Sequence, residues 1–120
     1  MSFLYVLYSP VSVSASTARI ECNSLPSKIL AHPVNYCMVL PPSYDQDKSR
    51  KYPILYFLHG LCDNDQMFVH GGAFNLVQDL WERGEITEFL IATPDAGASF
   101  YINSRDATVK YEDFLLQEFL

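Results

Sequence analysis

The run Pro53-Ile54-Leu55-Tyr56-Phe57-Leu58, followed at once by His59-Gly60-Leu61, constrains this chain more than any other stretch. Six nearly unbroken apolar and aromatic residues are too few for a stable helix. They also lack the in-and-out alternation of a half-exposed strand. They predict a strand buried on both faces, as in the middle of a parallel sheet covered by helices. A glycine directly after such a strand lets the chain turn sharply and brings backbone N–H groups to the strand's carboxyl end. Open α/β sheets bind their ligands at that end. The His-Gly-Leu turn is therefore a candidate place to hold developing negative charge.

The remaining elements follow from pattern. Ala18 to Ser24 and Pro33 to Leu40 both favour extended structure, and in the second Val34, Tyr36, Met38 and Leu40 alternate with Asn35, Cys37 and Val39. The polar link Leu25 to His32 suits a loop between antiparallel partners. Pro41-Pro42 stops the second strand, and Asp45 to Lys51 reads as a charged surface loop. Cys62 to His70 reads as a polar and aromatic loop. Beyond Gly71-Gly72, residues Ala73, Phe74, Leu76, Val77, Leu80 and Trp81 share one helical face, with Trp81 in the core and Gly84 just past the helix end. Phe89 to Thr93 is a second short buried strand, closed by Pro94-Asp95-Ala96-Gly97. Strand, helix, strand in this order is a βαβ unit with a right-handed crossover. Tyr111, Leu115 and Phe119 form one i, i+4 row of a last helix, and Leu116 and Leu120 form another. That helix has no stop signal, so we expect 18–120 to be a truncated domain.

Several function classes are set aside by charge and composition. The formal net charge is −6 and no basic run occurs, which argues against nucleic acid as a partner. No apolar stretch approaches the ~20 residues of a membrane-spanning helix. Cys22, Cys37 and Cys62 show no C-x-x-C spacing, and we expect them to be buried small hydrophobes rather than a zinc or redox site. Cys62, beside the turn, has no base assignable to it as a nucleophile. His32 and His70 have no ligand spacing, and neither a metal nor an organic cofactor is expected. Residues 1–17 read either as the tail of a secretory signal peptide, with Val13-Ser14-Ala15 as a small-x-small cleavage site, or as an ordinary terminus. We expect export, to the periplasm or outside the cell.

Three segments then carry a family resemblance: Val39-Leu40-Pro41-Pro42-Ser43-Tyr44, Tyr52-Pro53-Ile54-Leu55-Tyr56-Phe57-Leu58-His59-Gly60-Leu61, and Thr93-Pro94-Asp95-Ala96-Gly97-Ala98-Ser99-Phe100-Tyr101. In this order and spacing the chain resembles the amino-terminal half of the α/β-hydrolase family that includes esterase D (S-formylglutathione hydrolase), feruloyl and acetylxylan esterases and mycolyltransferases. The resemblance implies an α/β-hydrolase sheet, with antiparallel strands followed by a parallel βαβ unit. It implies ester hydrolysis through an acyl-enzyme by a Ser, acid, His triad in that chain order. No G-x-S-x-G occurs in the sequence, so the triad is expected beyond Leu120 and this chain alone is expected to be inactive. The resemblance assigns one oxyanion-hole donor to the Leu61 backbone N–H, with turn geometry from Gly60, and a pocket wall to Ser99, Phe100 and Tyr101. On chain order His59 is a structural histidine bonded to backbone, and Asp95 forms a turn. The expected partner is a small-molecule or polysaccharide-linked ester; oligomeric state is open. The alternatives are a short non-catalytic α/β protein that binds a ligand or partner, and an acyltransferase of the same fold.

Overall fold

The computed structural model describes residues 2, 4, 6, 7 and 17–120; the Val13-Ser14-Ala15 cleavage expectation lies outside the described residues. Prolines bracket the first hairpin. Strand β1 (Arg19–Pro26) runs antiparallel to β2 (Pro33–Leu40), with Pro26 opposite Pro33 and Arg19 opposite Leu40. Strand β3 (Ile54–Tyr56) leads through a loop to helix α1 (Met67–His70) and helix α2 (Ala73–Glu82), and β4 (Leu90–Pro94) returns parallel to β3. Strand β4 also pairs antiparallel with β2, so the sheet is open and mixed, in the order β1-β2-β4-β3.

Period-two alternation sends side chains of β2 to two different layers. Val39 and its partners Ile20 and Ile91 face Phe68, Trp81, Phe74 and Val77 beneath α2. Val34, with its partner Leu25, joins Ala96, Tyr111, Phe114 and Phe119 on the opposite side. Val39 and Ile91 have 0% exposure, and burial of each such side chain contributes about 1.5–3 kcal/mol. Helix α2 ends as its sequence predicts. Gly84 takes φ +66, its N–H bonds Trp81 O at 3.0 Å, and Glu85 N–H bonds Leu80 O at 3.0 Å. These two bonds close a Schellman motif, which favours glycine at the left-handed position.

Five expectations need correction. Pro53 to Leu58 is not a doubly buried central strand. Only Ile54 to Tyr56 is strand, it lies at the sheet edge, and Ile54 and Leu55 are 46% and 47% exposed. Its apolar character is that of a strand covered on both sides, but no described strand pairs with its outer edge. Cys22 and Cys37 are not independent small hydrophobes: the register sets them opposite one another, Cα atoms 4.0 Å apart, and they form a disulfide, while Cys62 is exposed. Leu76, assigned to the apolar face of α2, is 59% exposed because the buried stripe runs through Phe74, Val77 and Trp81. The last helix is α only over α3 (Tyr111–Phe114), then becomes a π turn at 115–119, closed by Leu120 N–H on Leu115 O at 3.0 Å. The wider turn carries Phe119 against Tyr36 and Tyr56, at centroid distances of 5.8 and 6.1 Å. The loop 62–70 also contains the short helix α1.

Candidate functional site

The last ladder bond of β3 runs from Phe57 N–H to Ala92 O, 2.9 Å. Leu58 and His59 then leave the sheet, and Gly60 to Asp63 make a turn closed by Asp63 N–H on Gly60 O at 3.2 Å. The left-handed residue in this turn is Cys62, φ +69. With a positive φ at the third position and none at Leu61, the turn is type II. Gly60 itself has no positive φ, and a Cβ built there would meet nothing nearer than Asp63 Oδ2, at 3.5 Å. Among the described residues the Leu61 N–H makes no intrachain hydrogen bond, and the residue is 60% exposed.

His59 fastens this turn to the exit of β4. It is buried. Its Nε2 accepts Ala96 N–H at 2.9 Å and its Nδ1 lies 2.8 Å from Gly60 O. A nitrogen that accepts a backbone N–H carries no proton, so Nδ1 is the donor. The His59 carbonyl accepts the Tyr101 hydroxyl at 2.9 Å. Both ring nitrogens face backbone, as expected for a structural histidine, and no described serine or cysteine bonds an imidazole. Asp95 forms a turn, its Oδ1 accepting Gly97 N–H at 2.9 Å, and lies 3.5 Å from His59 Nε2.

The loop after β4 is strained. Phe100 and Tyr101 both sit in the left-handed region, φ +56 and +61, at a cost of order 1–3 kcal/mol each. Tyr101 is held there by its hydroxyl bond, by Ser99 Oγ accepting its N–H at 3.2 Å, and by edge-on packing against Tyr111. Burial, aided by the Asp95 charge, pushes the Tyr101 phenol up to about 12. Burial raises Tyr111 further, and its hydroxyl donates to Asp95 O at 2.9 Å. Behind the turn, buried Asp65 lies with Oδ2 3.5 Å from Cys37 Sγ, and its backbone carbonyl accepts the Thr93 hydroxyl at 2.6 Å. Desolvation, then repulsion from Asp95, raises the Asp65 carboxyl above its ordinary value.

These contacts shape a cleft of about 160 Å³ at the carboxyl ends of β3 and β4, lined by His59, Gly60, Leu61, Gly97, Phe100 and Tyr101. Four of the residues singled out from sequence (Gly60, Leu61, Phe100 and Tyr101) meet in it. Ser99 instead lines an adjoining cavity of about 650 Å³. Sequence reasoning missed Cys62 as the left-handed residue and Asp65 as a buried carboxylate. Neither carries a local signal, since cysteine seldom adopts positive φ and Asp65 is covered only by tertiary contacts. Among the described residues no three His, Cys, Asp or Glu side chains group as metal ligands. No described helix is long and apolar enough to cross a membrane. Chemically, the cleft offers a free backbone donor and an aromatic wall, with no nucleophile–base pair.

Comparison with known proteins identifies the family and the fold. The family model described as "Putative esterase" matches residues 27–120. A solved ferulic acid esterase is 34% identical with a TM-score of 0.79, over 88% of this chain and 42% of that one. A CE1 ferulic acid esterase from Anaeromyces mucronatus, solved with ferulic acid, is 19% identical with a TM-score of 0.67, over 89% and 42%. An S-formylglutathione hydrolase from Agrobacterium tumefaciens is 16% identical with a TM-score of 0.67, over 88% and 43%. The last two show likeness of fold alone, and the chain spans less than half the length of all three. With its family match, open mixed sheet and flanking helices, this chain belongs to that esterase family of α/β-hydrolases.

Proposed function

We propose that this chain is the amino-terminal portion of a serine carboxylic-ester hydrolase. The Leu61 backbone N–H is one donor of its oxyanion hole, and Phe100 and Tyr101, with Ser99 beside them, form part of the substrate wall. The observation that carries the reading is the Leu61 amide: in the cleft at the carboxyl ends of two parallel strands, with no intrachain acceptor among the described residues. An N–H so placed donates a hydrogen bond to the carbonyl oxygen on which charge forms under nucleophilic attack. Gly60, exposed and without a side chain, leaves the approach to that amide open. The nucleophile, acid and base lie beyond Leu120. Cys22–Cys37 supports export, because such bridges persist in oxidising compartments.

The test is expression of the chain alone and of the polypeptide extended past Leu120. The extended protein hydrolyses p-nitrophenyl acetate and is labelled by a serine-directed fluorophosphonate; the 120-residue chain does neither. Turnover by the short chain, or an extension that lacks a G-x-S-x-G, would sink the proposal.

A further inference from the structure

The Cys22–Cys37 bridge is unequal at its two ends. Cys22 is exposed on β1, at the edge of the sheet, while Cys37 on β2 has 0% exposure. The buried sulfur also has a carboxyl beside it, with Asp65 Oδ2 at 3.5 Å from Cys37 Sγ. Thr93 of β4 stands opposite Cys37 in the register. Its hydroxyl donates to the Asp65 carbonyl at 2.6 Å, which holds the Asp65 backbone against this end of the bridge.

A bridged sulfur carries no proton and cannot donate to Asp65. A hydrogen bond across this gap forms only when the carboxyl is itself protonated. The surroundings favour that form. Burial first, then the Asp95 charge, hold the carboxyl above its ordinary range, against the opposing pull of its own backbone N–H and of His59. Among the described residues no Lys or Arg makes an ion pair with it. Asp65 is thus a buried acid set beside the sulfur that leaves when the bridge is opened from outside.

We infer that Cys22–Cys37 is a thiol-exchange site, opened at Cys22 by a small thiol or dithiol, with Asp65 as the acid that protonates the Cys37 sulfur. This inference stands apart from the hydrolase reading. The external thiolate attacks Cys22 Sγ and the S–S bond breaks. Its electron pair leaves on Cys37 Sγ, which takes the Asp65 proton. A second thiolate then attacks the external sulfur of the mixed disulfide and releases the Cys22 thiolate, which takes a proton from water. The reductant departs as its own disulfide, oxidised by two electrons, and the protein holds two thiols and the Asp65 carboxylate. Attack at Cys37 is closed by burial. A thiolate leaving beside an ionised Asp65 would set two like charges 3.5 Å apart. Protonation removes that conflict and speeds departure of the leaving sulfur. The β1–β2 ladder runs on both sides of the bridge, from Arg19 and Leu40 to Pro26 and Pro33, so the hairpin outlasts its opening.

The test is reduction of this chain by dithiothreitol, with the exposed Cys62 first capped by iodoacetamide. The rate constant per thiolate is compared from about pH 5 to about pH 8. It should fall about 100-fold as Asp65 ionises, the scale of general acid catalysis, and Asp65→Asn should abolish the fall. Asp95 and His59 remain in that variant, so a fall caused by either survives there. With 2-mercaptoethanol and an acid quench, the mixed disulfide of the wild-type chain should map to Cys22. A flat wild-type profile, the same fall in Asp65→Asn, or a mixed disulfide on Cys37 overturns the inference. Where Asp65→Asn does not fold, the Asp65 carboxyl carbon of the wild-type chain must titrate by NMR at the pH where the rate falls; a mismatch overturns the inference equally.

Discussion

Leu61→Pro separates the proposed catalytic role of one amide from its structural role. Leu61 is the second residue of a type II turn, a position proline favours because its ring presets φ near −65°. The substitution deletes the N–H and nothing else on the backbone, and that N–H has no intrachain acceptor among the described residues. The Gly60 carbonyl, which accepts Asp63 N–H at 3.2 Å, keeps its bond. Proline before a compatible turn lowers the entropy of the unfolded chain, so stability should hold or rise by about 0.4–1 kcal/mol. Removal of an oxyanion donor costs about 2.7–4 kcal/mol of transition-state stabilisation, or about 100- to 1,000-fold in kcat. The assays are urea unfolding and p-nitrophenyl acetate turnover in the polypeptide extended past Leu120. Leu61→Ala, which keeps the N–H, should lose far less activity than the proline variant and so isolates the donor from the side chain. A folded Leu61→Pro enzyme with kcat near wild type would refute the donor assignment. A large loss of stability would refute the claim that the amide is free.

Three further outcomes follow from the same contacts. Replacing Cys22 and Cys37 together by serine opens a link across a sequence separation of 15, and should lower stability by about 3 kcal/mol, read as an earlier urea midpoint. The Tyr101 phenol is raised to about 12 in the folded chain, so the native state holds this proton more tightly than the unfolded state does. The stability it contributes is full below the ordinary phenol range near 10 and is lost as pH rises towards 12, and Tyr101→Phe should flatten that part of an alkaline unfolding profile. Ile54, Leu55 and Leu58 leave an exposed apolar edge on β3, so the 120-residue chain should self-associate with concentration, and Leu55→Lys should reduce the sedimenting fraction.

What could be read from sequence was whatever local chemistry imposes. Strand β2 begins and ends where Pro33 and Pro41 permit a ladder, and α2 runs between Gly72 and Gly84, so these bounds are legible without tertiary knowledge. The apolar run at Pro53 records burial on two sides, yet burial depends on neighbours, and the described sheet places β3 at its edge. The disulfide was hidden for a related reason. A loop read as Leu25 to His32 shifts the hairpin register, and only the observed pairing of Pro26 with Pro33 brings Cys22 opposite Cys37. At the site, the glycine after β3 marked the turn correctly, but the strain is carried by residues with no sequence signature: Cys62, Phe100 and Tyr101, all at positive φ. Those conformations are sustained by long-range bonds, chiefly Tyr101 to the His59 carbonyl and Ala96 to the His59 ring. Breaking either bond should therefore move Phe100 and Leu61 together, because His59 joins the two loops that border the cleft.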